Sequence, residues 1–153
     1  MSSEKQLKVS AIKDGTVIDH IPAANLFKVI KILHLDTCAN QITFGTNLES
    51  KKLGFKAIVK ISDKFFEEEE TNKIALIAPY AKLNVIRDYE VVEKKEVAIP
   101  DELIGICKCA NPKCVTNVEN IKTKFTVENK NDISLRCHYC EKLTEKDQIV
   151  VIA

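Results

Sequence analysis

The apolar residues of this chain change period several times, and each change marks an element. Leu7, Val9 and Ala11 alternate with Lys8 and Ser10; Gly15 interrupts, and Thr16, Val17, Ile18, Asp19 and His20 form a short β-branched run that Pro22 ends. Residues 23–34 then read as a helix with Leu26, Phe27, Ile30 and Leu33 on one stripe. A helix apolar on one side only covers a sheet. Alternation returns at residues 41–47 (Ile42, Phe44, Thr46) and at 55–61 (Ala57, Val59, Ile61), with a loop or short hairpin connection between them. Four acids, Glu67 to Glu70, precede Ile74, Leu76 and Ile77, as expected where carboxylates complement the first turn of a helix whose apolar face is buried. Pro79 stops that helix. Residues 82–87 and 89–94 read as two strands joined at Arg87 and Asp88. The order is β-α-β-β-α-β with one more strand, which predicts an α+β, ferredoxin-like domain with helices on one face of a mostly antiparallel sheet.

After Lys94 the composition shifts. Residues 95–100 are charged and then extended, and Ile99-Pro100 ahead of Asp101 and Glu102 makes a junction near residue 100. The expected division is 1–100 and 101–153. Beyond it lie strands at 122–128 and 132–137, with a turn at Asn129, Lys130 and Asn131, and a last strand at 148–152, a small antiparallel β domain too small for an independent apolar core.

What compensates is visible in the cysteines. Five of the six fall between Cys107 and Cys140. Cys137-x2-Cys140 has ordinary knuckle spacing and Cys109-x4-Cys114 is at the long end of the range, whereas Cys107-x-Cys109 is too tight, so Cys109, Cys114, Cys137 and Cys140 are the expected ligands of one structural Zn²⁺ per chain. Reduced or disulfide-bonded core cysteines are the plainer alternative. Lys108, Lys113, Arg136 and Lys142 flank the group and offset part of the charge of four thiolates.

Charge and chemistry narrow the function. Lys+Arg 23 against Asp+Glu 22 supplies no global field for a nucleic-acid backbone, and no 18-residue apolar run or charged leader appears, so a cytoplasmic protein without membrane or nucleic-acid partners is expected. Only three histidines, His20, His34 and His138, are present, no glycine-rich phosphate loop occurs, and four thiolates make a closed rather than a catalytic metal site. An enzyme therefore lacks its residues. A zinc-knuckle nucleic-acid-binding or transcription-associated protein remains as an alternative, with Lys108, Lys113, Lys122, Lys124, Lys130 and Arg136 as its basic candidates but few aromatics beside them. The third class is a regulatory subunit whose first domain senses a small molecule. Apolar residues such as Val17 and Ile86 on the uncovered sheet face predict self-association as a dimer.

Over essentially its whole length, through LKVSAIKDGTVIDHIPA, ITFGTNL, NVIRDYEVVEK, the cysteine set and CHYCEK, the chain resembles the regulatory chain of aspartate carbamoyltransferase. That resemblance implies a non-catalytic allosteric subunit of pyrimidine biosynthesis. It also implies regulatory homodimers, three of which join two catalytic trimers, and control by CTP, with UTP in some members, and by ATP. Carried over by position, the effector nucleotide would be held by Ala11, Ile12, Val17, Asp19, His20, Lys60, Asn84, Ile86, Tyr89, Val91 and Lys94. Lys60, Lys94 and His20 suit a triphosphate, Asp19 the ribose, and the backbone around Ile12 and Tyr89 the base edge. The same four cysteines would hold zinc, and Asn111, Lys113, Glu119 and Glu141 would lie near the catalytic chain. Cys107 and the cation at Lys113 depart from the family pattern.

Overall fold

A computed structural model of the chain describes residues 11–152, so the alternation expected from Leu7 lies, apart from Ala11, outside the described residues. The chain divides into two compact units, the first reaching Ala98 and the second starting at Ile99.

The first unit is built on a five-stranded sheet of order β2-β3-β1-β4-β5, with β1 Gly15–Pro22, β2 Ile42–Ser50, β3 Gly54–Ser62, β4 Lys82–Arg87 and β5 Glu90–Glu96. Neighbours in the sheet are antiparallel. This is the ferredoxin-like order, extended by β5. Period-2 alternation decides the faces: Ala57, Val59 and Ile61 are fully buried, with Ile18, Ile21 and Leu83 beside them, and the helices cover this side.

The first helical segment is shorter than expected. A 3₁₀ turn, Ala23–Asn25, leads into helix α1, Leu26–Ile32, whose buried stripe is Leu26, Val29 and Ile32, continued by Leu33. Phe27, placed on that stripe by the sequence reading, is 68% exposed and meets Phe44 edge-to-face at 5.9 Å. The 3₁₀ turn shifts the phase of the helix, which a uniform 3.6-residue count over residues 23–34 cannot anticipate. The second helical segment matches its acids. Helix α2, Glu68–Asn72, has Glu67 at its N-cap in a capping box with Glu70, and a 3₁₀ turn, Lys73–Leu76, then buries Ile74, Ala75 and Leu76.

Of two connections, one takes the short-hairpin form the sequence allows and one differs from expectation. Residues 47–54 are largely strand, because β2 continues to Ser50 and the chain reverses within three residues. The β4–β5 hairpin turns at Asp88 and Tyr89, not at Arg87 and Asp88; both turn residues have positive φ (52° and 67°), the pattern of a type I′ turn.

In the second unit a four-stranded antiparallel sheet, β10-β9-β8-β6, comprises β6 Glu102–Ile104, β8 Lys124–Asn129, β9 Ser134–Cys137 and β10 Leu143–Glu145. A second pair joins β7, Cys107–Lys108, to β11, Val150–Val151, so the strand expected at 148–152 is only its centre. One helical turn, α3, Val115–Val118, follows Cys114. The core is thin: Leu103, Ile106, Phe125, Ile133 and Leu135.

Candidate metal centre and effector face

The four cysteines chosen by spacing converge. Cys109 and Cys114 bracket the loop after β7, while Cys137 ends β9 and Cys140 closes the turn after it. Their Sγ atoms all lie within 4.8 Å of one another, with Cys109 to Cys140 and Cys114 to Cys137 each at 3.7 Å. Four sulfurs at about 2.3 Å from a tetrahedral zinc would be about 3.8 Å apart, whereas a disulfide needs about 2 Å. The donor set therefore fits a thiolate-bound metal.

The surrounding polar groups brace the loop and address one of the sulfurs. Asn117 donates from its amide nitrogen to the carbonyls of Cys109 (3.0 Å) and Asn111 (2.7 Å), and the Thr116 hydroxyl lies 3.2 Å from Cys114 Sγ. Burial pushes the Cys109 thiol up to about 12 and raises Cys137 as well. For Cys140 burial also raises the thiol, but hydrogen bonds from the Lys142 backbone, Asn111, Cys109 and Cys137 outweigh it and bring it to about 7. Cys107 lies outside the cluster. Its side chain is fully buried in the core, and desolvation pushes its thiol to about 12.

The effector candidates assemble through the strand register. On the sheet face opposite the helices, Lys60 pairs with Val17, Val17 with Asn84, and Asn84 with Lys94, one row across β3, β1, β4 and β5. One pleat along, Gly15 pairs with Ile86 and Ile86 with Val91. Burial holds the Lys60 ammonium below the ordinary lysine value. Val17 and Ile86 are buried, while Tyr89, Val91 and Lys94 are exposed.

A bulge at the far end of β1 places the remaining polar candidates. His20 has φ 61°, and its backbone N–H donates to Asp19 Oδ1 at 2.6 Å. Its Nδ1 is buried without a hydrogen bond; Asp19 Oδ2 stands 3.6 Å away. Such an orphan is costly unless something supplies a partner. The sequence reading missed Lys56, whose Nζ is 3.0 Å from Asp19 Oδ1. Lys56 shares its strand phase with Lys60, and that period was the signal available. Ala11 and Ile12 precede β1 beside the β4–β5 turn, where Tyr89 N–H donates to the Lys13 carbonyl at 2.9 Å.

The four residues expected near a catalytic chain all flank the cysteine loops. Asn111 is half-buried and accepts at Oδ1 from Lys113 N–H at 3.1 Å; Lys113, Glu119 and Glu141 are exposed, Glu141 with φ 63°. Among the described residues no helix is long and apolar enough to cross a membrane.

Fold and site together define a two-unit α+β chain that joins a ferredoxin-like sheet with a polar-rimmed face to a four-thiolate metal knuckle. Residues 7–98 match the family described as the aspartate carbamoyltransferase regulatory chain, allosteric domain, and residues 101–150 match its metal binding domain. The aspartate carbamoyltransferase regulatory chain of Bacteroides thetaiotaomicron is 57% identical over 153 residues, covering 99% of this chain and all of the relative. That of Pyrococcus horikoshii is 54% identical over 147 residues, covering 95% and 97%. The chain belongs to the aspartate carbamoyltransferase regulatory chain family, and its role is regulatory and non-catalytic.

Proposed function

We propose that the chain binds CTP and ATP, with UTP as a further candidate, on the helix-free face of its first unit, and that it transmits their effect to the catalytic chain of aspartate carbamoyltransferase through a second unit held in shape by one structural Zn²⁺. The observation that carries the reading is the Lys60–Val17–Asn84–Lys94 row, two cations flanking an apolar and an amide side chain, with the orphaned Nδ1 of His20 on the same strand as Val17. The lysines receive phosphate oxygens, His20 adds a further phosphate-side partner, and Asp19 accepts from ribose hydroxyls while it remains paired with Lys56. Val17, Ile86 and Val91 wall the base, and the backbone around Ala11, Ile12 and Tyr89 reads its edge.

Cys109, Cys114, Cys137 and Cys140 hold the zinc, and Asn111, Lys113, Glu119 and Glu141 face the catalytic chain. Regulatory chains pair as homodimers, and three dimers join two catalytic trimers in a cytoplasmic assembly. The zinc contributes no chemistry to the reaction. Bound nucleotide acts by favouring one of two quaternary states, so aspartate binding must in turn alter nucleotide affinity by the same factor.

The nucleic-acid alternative is disfavoured by pairing of bases with acids in the second unit: Lys124 with Glu102, Lys130 with Asp101 and Arg136 with Glu128. The test is to mix the purified chain with catalytic trimers and to measure assembly mass and the aspartate saturation curve with and without CTP and ATP. A mass gain and a nucleotide-dependent shift of the curve are expected. Trimers left unchanged in mass and kinetics would end the reading.

A further inference from the structure

The Asp88–Tyr89 turn places two non-glycine residues at positive φ, a conformation that costs L-residues roughly 1–2 kcal/mol each. Type I′ turns normally relieve that cost with glycine, asparagine or aspartate, a pattern that Asp88 fits and Tyr89 does not. Here the relief comes from elsewhere in the sequence. Asp14 Oδ1 accepts the Asp88 N–H at 3.1 Å, and the Lys13 carbonyl accepts the Tyr89 N–H at 2.9 Å. The Asp14 carbonyl also accepts the Asp63 N–H at 2.9 Å, so one short segment fastens the hairpin tip and the β3–α2 connection together. On the flank of the turn, Arg87 lies over the Phe65 ring at 3.9 Å. The Tyr89 side chain is 66% exposed and contributes little to fixing its own backbone.

We propose that Asp14, which lies outside the effector set, is a positioning residue for base recognition: with Lys13 it holds the Asp88–Tyr89 turn in its left-handed conformation beside Ala11 and Ile12. The inference rests on the nucleotide reading above and deepens it. The phosphate end, Lys60 and Lys94, lies farther along the ladder: Lys60 pairs with Val17, and Lys94 pairs with Asn84 on the far side of the β4–β5 irregularity from this turn. The base end joins two segments far apart in sequence, and their relative position depends on Asp14. Loosening the turn therefore alters discrimination between a pyrimidine and a purine while leaving the shared triphosphate contribution intact.

Calorimetric titration of the full chain with CTP, ATP and inorganic triphosphate tests this. In Asp14→Ala the ratio of the CTP and ATP dissociation constants should move by about three- to tenfold, with triphosphate affinity unchanged. Asp14→Asn, which keeps an acceptor oxygen at the same place, should restore the native ratio. If Asp14→Ala does not fold, Asp14→Glu replaces it: the acceptor moves out by one methylene, and the same shift in ratio is expected. An unaltered ratio, or an equal loss for all three ligands, would overturn the role of Asp14 while leaving the nucleotide site standing. Failure of the unsubstituted chain to bind any of the three would remove both.

Discussion

Gly15 shows how a single position can be dictated by geometry. Its φ is 143°, and a Cβ there would come within 2.1 Å of the Ile61 carbonyl oxygen, on a strand that cannot retreat without breaking its ladder. Gly15→Ala should therefore lower unfolding stability by about 3 kcal/mol or more, read as a fall in the denaturant midpoint. An alanine chain with a native midpoint would contradict the packing described. Cys107 and Cys114 make the converse pair. Cys107→Ala should cost about 1–2 kcal/mol as a small cavity yet leave the metal content at one per chain, whereas Cys114→Ser should lose the metal. Elemental analysis of the two proteins separates a core thiol from a ligand. Spacing alone had already set Cys107 aside, because one intervening residue is too tight for a knuckle. His20 was less legible, since its positive φ and orphaned Nδ1 arise from a bulge that no local pattern announces.

Elements were legible where their period was long and uniform. The strand β3 reads directly from Ala57, Val59 and Ile61, and the α2 start from Glu67 to Glu70. Short pieces were not: β6, β7 and β10 span two or three residues each, and β6 and β7 owe their pairing to strands distant in sequence. The knuckles are elements of a different kind, because their thiols must lose protons before they bind metal. Cys109 and Cys137 are raised, so both stay protonated near pH 8, and metal uptake must expel at least two protons there. Affinity consequently falls as pH falls. Titrating metal into the apo chain in two buffers of different ionisation enthalpy measures the release, and a heat independent of buffer would refute it.

The whole molecule combines two sources of stability. The first unit buries Ile18, Ile21, Leu26, Val29, Val59, Ile61 and Ile74 completely or nearly so, a core sufficient for autonomous folding. The second has Phe125, Leu103 and Leu135 as its main fully buried apolar side chains, a deficit that a metal held by the four cysteines would close. A strong chelator should thus abolish hydrogen-exchange protection in β8 and β9 while that of β1 and β3 persists. Simultaneous loss in both units would show that the division is not energetic. The alternation of the sheet and the cysteine spacing exposed this two-unit plan in advance. The hairpin tip that joins Asp14 to Asp88 escaped it, because hydrogen bonds between segments 74 residues apart leave no periodic trace.

The position of the metal ligands along the chain also sets a timetable. Every strand of the first sheet is synthesised before Cys109, the first candidate ligand, and Cys140, the last, emerges only after β9. At about 5–20 residues per second, the ribosome completes the first sheet several seconds before the metal centre can close. During that interval the nascent chain would carry a finished sheet followed by a tail whose metal centre cannot yet close. Protease digestion of ribosome-bound chains stalled between those points should leave the first unit intact and cut the second; resistance of both would break the timetable.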